Sequence, residues 1–225
     1  MSSMIPVTCP DGHVLSAYLA RPEGTPRGGI LVASELFGVT HHIRDVADSY
    51  ARDGYLVACP QFYDRYRRDS VFSYDQAGLE RARELLQLLD FDKVMVDCRG
   101  VVAALRCEGV ERIGMVGYCS GGTSAWLASE KVAGLACSAA YYGSLIPKRL
   151  EIRPAVPVMA HWGASDHTLA LEEVRVFERA HPEVESFVYD TGHGFNCDRR
   201  AHHYHAPSAA LARERTLAFF RTHVG

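Results

Sequence analysis

The sequence predicts an α/β fold, a mainly parallel sheet with helices on both faces. Short unbroken apolar runs of strand length recur along the chain, separated by segments with the 3.6-residue spacing of amphipathic helices. Unbroken apolar strands belong to sheets covered on both sides, and such sheets are mostly parallel. Reactive residue types also fall just beyond the ends of several runs, and in a parallel sheet those ends share one edge.

Pro22-Glu23-Gly24-Thr25-Pro26-Arg27-Gly28-Gly29 is a surface turn between two early strands, punctuated by proline and glycine. Ile30-Leu31-Val32-Ala33 is a buried strand. From His41 to Arg52 the spacing is helical, with Ile43, Val46, Ala47 and Tyr50 on one face. Tyr55-Leu56-Val57-Ala58-Cys59 is the next strand. Pro60 to Asp75 is irregular and carries Phe62, Tyr63, Tyr66, Phe72 and Tyr74 with three arginines. It reads either as a packed surface loop or as part of a substrate wall. Helical patterns follow from Gln76 to Leu89 and around Val94 to Arg106. After a strand at Ile113-Gly114-Met115-Val116 and a helix starting at Ser120, Gly143 to Pro154 is irregular. Val158 to Gly163 is a strand, Ala170 to Ala180 is helical, Ser186 to Tyr189 is a strand and Asn196 to Pro207 is irregular. No repeat, low-complexity segment or linker divides the chain. Residues 1–225 therefore read as one domain, long enough to bury a substantial core.

The most informative stretch is Gly117-Tyr118-Cys119-Ser120-Gly121-Gly122. An apolar strand ends in Gly-x-Cys-x-Gly-Gly, and small, helix-compatible residues follow. Glycines flank the apex because the turn is tight and a Cβ there would collide with the chain. One side chain is thus held clear of the backbone, with the first amides of a helix pointing toward it. Such an elbow usually presents serine; here it presents a thiol. An isolated thiol with a pKa of ~8.5 is only a few per cent ionised at neutral pH. A helix start and a neighbouring imidazole both favour the anion.

Two later segments complete the pattern. Asp166 lies in the turn after the Val158–Gly163 strand, and His193 lies in Asp190-Thr191-Gly192-His193-Gly194-Phe195 after the Ser186–Tyr189 strand. Nucleophile, acid and histidine therefore occur as Cys119, Asp166, His193, the chain order of α/β-hydrolase triads. Asp166 as a plain turn residue is the competing reading. Of the other histidines, His161 reads as a satisfied core residue, and His13 and His181 as surface positions.

With these residues in place, the chain resembles the dienelactone hydrolase family, cysteine-dependent enzymes of the α/β-hydrolase fold. The matching segments are Ser34-Glu35-Leu36-Phe37-Gly38-Val39, Gly117 to Gly122, Tyr141-Tyr142-Gly143, Gly163-Ala164-Ser165-Asp166-His167 and Gly192-His193-Gly194-Phe195. The closing helix Ser208 to Leu217 matches as well. Glu35 interrupts an apolar sequence where a buried strand ends, and a carboxylate there is costly unless something pairs with it. A capping role is its bland alternative. The resemblance implies that Glu35 lies beside the thiol and helps to control its protonation. It also implies that the Leu36 and Ser120 amides form the oxyanion hole. Family members that cleave dienelactone hold the substrate carboxylate with arginines. One belongs to the helix after the aromatic loop, where Arg81 matches best and Arg83 is the alternative. The other lies four residues after the histidine, where this chain has Cys197, with Arg199 and Arg200 slightly further on. Arg81 and Arg83 also fit a solvated helix face.

Composition narrows the remaining classes. A formal net charge of −3 with 23% charged residues gives no basic footprint for nucleic acid. The segment Met1 to Pro6 lacks the features of a signal peptide, and the longest uncharged apolar-rich run, Val132 to Ile146, is too short to span a membrane. Seven cysteines without a Cys-x-x-Cys favour reduced thiols, so a cytoplasmic protein is expected. A metal site could be drawn from His193, Cys197, His202, His203 and His205, but their spacing matches no recurring ligand pattern. No phosphate-loop or dinucleotide motif occurs. The expectation is a hydrolase of a small lactone or ester that needs no metal or cofactor. Its rival is a non-catalytic hydrolase-like binding or thiol-redox protein.

Overall fold

The computed structural model describes residues 2–225. Its strands are β1 (Ser3–Thr8), β2 (Val14–Ala20), β3 (Gly29–Ala33), β4 (Leu56–Pro60), β5 (Ile113–Tyr118), β6 (Cys137–Tyr141), β7 (Val158–Gly163) and β8 (Glu185–Tyr189). The helices are α1 (His41–Arg52), α2 (Gln76–Leu88), α3 (Phe91–Cys107), α4 (Ser120–Lys131), α5 (Leu171–Ala180) and α6 (Ala206–His223). All eight strands form one sheet in the order β1-β2-β4-β3-β5-β6-β7-β8. β1 and β2 run antiparallel to their neighbours, and every pairing from β4 to β8 is parallel.

Burial follows strand position. β3, β4, β5, β6 and β7 are buried along their whole length, as strands covered on both faces must be. β2 runs from exposed Val14 to buried Ala20, with Leu15, Ala17 and Leu19 in one core layer and Ala20 in the other. One core layer joins Val94, Met95, Trp126 and Phe177, from α3, α4 and α5. The layer on the opposite face joins Ile43, Tyr50, Phe219 and Phe220, from α1 and α6. Helix starts obey local chemistry: Thr40 caps α1, Asp75 caps α2 and Asp90 caps α3, each accepting from an amide of the first turn. Among the described residues no helix is long and apolar enough to cross a membrane.

The register places the site. β3 pairs with β5 so that Ala33 lies opposite Gly117, and the segments leaving both strands emerge side by side. Those segments carry Glu35 and Leu36 on one side, Cys119 and Ser120 on the other. Two strands have no counterpart in the sequence reading. β1 contains Pro6, which an edge strand tolerates, and β6 is the weakly β-forming Cys-Ser-Ala-Ala-Tyr, held only by its neighbours.

Candidate active site

Cys119 caps α4 with φ 56° and ψ −116°, a conformation that non-glycine residues rarely adopt. Three glycines make it possible. A Cβ on Gly117 would collide with the Gly121 carbonyl, one on Gly121 with the Ala33 and Ser34 carbonyls, and one on Gly122 with the Tyr141 carbonyl. The elbow is tied down by its own backbone: the Cys119 amide donates to the Tyr141 carbonyl at 3.0 Å, and the Cys119 carbonyl accepts from Gly122 and Thr123. Among the described residues neither the Ser120 nor the Leu36 amide donates to a backbone carbonyl.

The thiol faces an imidazole. Cys119 Sγ lies 3.2 Å from His193 Nε2, and His193 Nδ1 lies 2.7 Å from Asp166 Oδ2. The other Asp166 oxygen accepts from the Thr168 amide at 2.8 Å and from the Thr168 hydroxyl at 2.7 Å. Burial opposes the carboxylate, yet the His193 and Thr168 hydrogen bonds hold Asp166 below its ordinary range. Burial also opposes a charged His193. The Cys119 thiolate and the Asp166 carboxylate outweigh it and push that imidazole up to about 10. His203 Nδ1 lies 3.0 Å from the His193 carbonyl and steadies the loop behind it.

Glu35 is 3% exposed and makes no side-chain hydrogen bond to Cys119 among the described residues. Its Oε2 accepts from the Tyr74 hydroxyl at 3.3 Å, and Tyr74 in turn meets Thr40 at 2.9 Å. The ligand atoms of Glu35, His42 and Cys197 all lie within 4.8 Å of one another. Tyr63 donates to the Leu36 carbonyl at 2.9 Å, fixing the peptide that joins Leu36 to Phe37. The Tyr142 hydroxyl is buried and without a partner, in the field of Glu35, Cys197 and Cys119.

The remaining expectations divide. Arg81 and Arg83 are exposed on α2 and form no hydrogen bond or ion pair among the described residues. Arg199 pairs with Asp45 at 2.8 Å, and Arg200 lies over the Phe37 ring, 5.5 Å from its centroid. The histidines of the last irregular stretch do not converge: His202 is exposed, His203 meets Arg200 and the His193 carbonyl, and His205 meets Ser208. His161 is a satisfied core residue between Tyr189 and Thr216. His181 is a correction. It is 1% exposed because the end of α5 packs its ring 4.9 Å from that of Trp126, with Glu183 and the Leu150 carbonyl on its nitrogens. The aromatic stretch is both packed and lining: Phe62 and Tyr63 are buried, whereas Phe72 and Tyr74 border a cavity of about 610 Å³ with Thr40, His41 and Arg199. Cys119 is not in the lining of that cavity. The sequence does not single out Thr168 or His42, although Asp followed two residues later by Thr is an Asx-turn pattern.

A mostly parallel sheet with its reactive elbow at the carboxyl edge makes this protein an α/β-hydrolase. The chain belongs to the dienelactone hydrolase family, whose sequence model matches residues 15–224. It is 30% identical to the carboxymethylenebutenolidase of Pseudomonas putida over 218 residues, covering 93% of this chain and 92% of the relative. A crystal structure of a candidate dienelactone hydrolase from Klebsiella pneumoniae superposes with a TM-score of 0.88 at 27% identity, covering 98% of each chain. A dienelactone hydrolase-like promiscuous phosphotriesterase from metagenomic libraries shares the fold, with a TM-score of 0.82 at 18% identity over 100% of this chain and 99% of that one.

Proposed function

We propose that this protein hydrolyses a small lactone or carboxylic ester through a Cys119–His193–Asp166 triad, in a carboxymethylenebutenolidase-type reaction. The single observation that carries the reading is the continuous contact from thiol to imidazole to carboxylate, 3.2 Å and then 2.7 Å. Cys119 Sγ attacks the substrate carbonyl while His193 Nε2 holds the thiol proton, and Asp166 keeps the imidazole oriented. The tetrahedral oxyanion lies against the Leu36 and Ser120 amides, which have no backbone acceptor of their own. One such donor is worth about 2.7–4 kcal/mol of transition-state stabilisation. The carbonyl re-forms as the ester oxygen leaves with the proton from His193, giving a thioester. Water then attacks, His193 takes its proton, and the acid departs as the thiol is restored. No step calls for a metal or a cofactor.

Glu35 acts on the thiol through the buried space that both share with Tyr142, not through a direct hydrogen bond. Arg81, exposed on α2, takes the carboxylate of an anionic substrate in this reading, with Arg83 as its alternative. The seven unpaired cysteines support a cytoplasmic setting. Turnover of a simple aryl ester, measured before and after a thiol alkylator, tests the reading. A folded protein that turns over no ester or lactone would instead be a hydrolase-like binding or thiol-redox protein.

A further inference from the structure

We propose that Glu35, His42 and Cys197 form a site for one divalent cation of the zinc class, beside the reactive thiol but separate from it. The three side chains come from three segments: the end of β3, the first turn of α1 and the loop after His193. Their carboxylate oxygen, ring nitrogen and sulfur lie within 4.8 Å of one another, and all three residues are buried. Ligand bonds of about 2.0–2.3 Å bring such atoms to roughly 3.5 Å apart, a closure that small side-chain rotations supply.

The imidazole carries the independent evidence. His42 is 3% exposed, and its Nε2 is buried without any hydrogen-bond partner. A buried ring nitrogen left unpaired is costly and calls for an explanation. Its other nitrogen, Nδ1, lies 2.9 Å from Asp198 Oδ1. Donation to that carboxylate occupies Nδ1 and leaves the unpartnered Nε2 as the nitrogen free to bind an ion. A carboxylate behind a ligand histidine is the usual support of a metal-binding imidazole.

Charge and donor type select the ion. A carboxylate, a thiolate and a neutral imidazole carry a net charge of −2, which a divalent cation neutralises in a buried site. Mixed oxygen, nitrogen and sulfur donors suit zinc and cobalt rather than magnesium or calcium. Sulfur binds the ion as a thiolate, so the Cys197 thiol gives its proton to solvent on binding. One proton is therefore released for each ion bound. Access runs past Tyr74, whose hydroxyl touches Glu35 and whose ring borders the cavity of about 610 Å³.

The test uses full-length protein carrying Cys119→Ala, so that the thiol facing His193 is absent and turnover plays no part. Titration with cobalt(II) is expected to give a thiolate-to-cobalt charge-transfer band saturating at one ion per chain, with one proton released and with displacement by zinc. Adding Cys197→Ala abolishes the band. Asp198→Asn alters a half-exposed residue that does not touch the metal, and it weakens binding by about 10- to 100-fold. A folded Cys119→Ala protein without a stoichiometric band overturns the proposal, and so does a band that survives Cys197→Ala. Unchanged affinity in Asp198→Asn also overturns it, whether or not the Cys197 variant folds.

Discussion

At Cys119 the backbone sits at φ 56°, and strain of this kind costs of order 1–3 kcal/mol per residue. The surrounding glycines and carbonyls over-determine it, and the half-buried side chain only borders the core, so truncation to alanine leaves the backbone held. Cys119→Ala should therefore leave the thermal unfolding midpoint close to wild type while abolishing ester and lactone hydrolysis. Cys119→Ser should be nearly as poor, because a hydroxyl is far harder to ionise than a thiol. Alanine retaining wild-type turnover would refute the nucleophile. His193 adds a stability signature. Its folded-state value of about 10 lies above the ordinary ~6.5 of histidine. The stabilisation from this raised value is fully present below ~6.5 and is lost as pH rises through about 10. The stability gap between wild type and His193→Gln should thus narrow from about pH 6 to about pH 10, measured by denaturant unfolding. A gap that widened over that range would contradict the charge pairing with Cys119 and Asp166. Cys119, Asp166 and His193 were legible in the sequence because each follows a strand in a known order. Thr168 and His42 were not, since what they touch is set by loops the sequence leaves unfolded.

Elements decide how tightly the elbow is held. α4 begins directly under β3, and Gly121 is the point of closest approach, its Cα facing the Ala33 and Ser34 carbonyls. Gly121→Ala has no room there and should cost at least about 1–3 kcal/mol of stability, with loss of turnover as the apex shifts. Chemical denaturation and aryl ester kinetics on the same preparation check both halves; a variant as stable and active as wild type would show that the elbow yields. The buried parallel strands were readable as unbroken apolar runs, and the helices by their spacing and caps. β1 and β6 escaped for opposite reasons. β1 is an exposed edge containing proline, and β6 is built of small residues that become a strand only between β5 and β7.

Across the whole molecule, the proposed choice of an anionic substrate rests on a residue of α2, far in sequence from the elbow. Arg81 stands exposed on α2 and has no hydrogen-bond or ion-pair partner among the described residues. If it binds the substrate carboxylate, Arg81→Ala should lower kcat/KM for a carboxylated lactone by about 10- to 100-fold relative to its methyl ester, the worth of one charge-assisted hydrogen bond. An unchanged ratio in steady-state kinetics would make Arg81 a solvated helix residue, with Arg83 the next variant. The second arginine expected after His193 is replaced by Cys197, and the space beside Glu35 is filled by His42 and Tyr74 instead.

The pairing of β3 with β5 has a consequence for synthesis. Between those strands the chain must first make α1, β4, α2 and α3, and the base that faces Cys119 arrives only after β8. A ribosome proceeding from the amino end therefore exposes the cysteine long before its histidine exists. A chain that stops before β8 lacks the imidazole that lies against Cys119, so on the proposed triad it should turn over no ester. If the proposed triad holds, chain order makes the reaction wait for the last strand of the sheet.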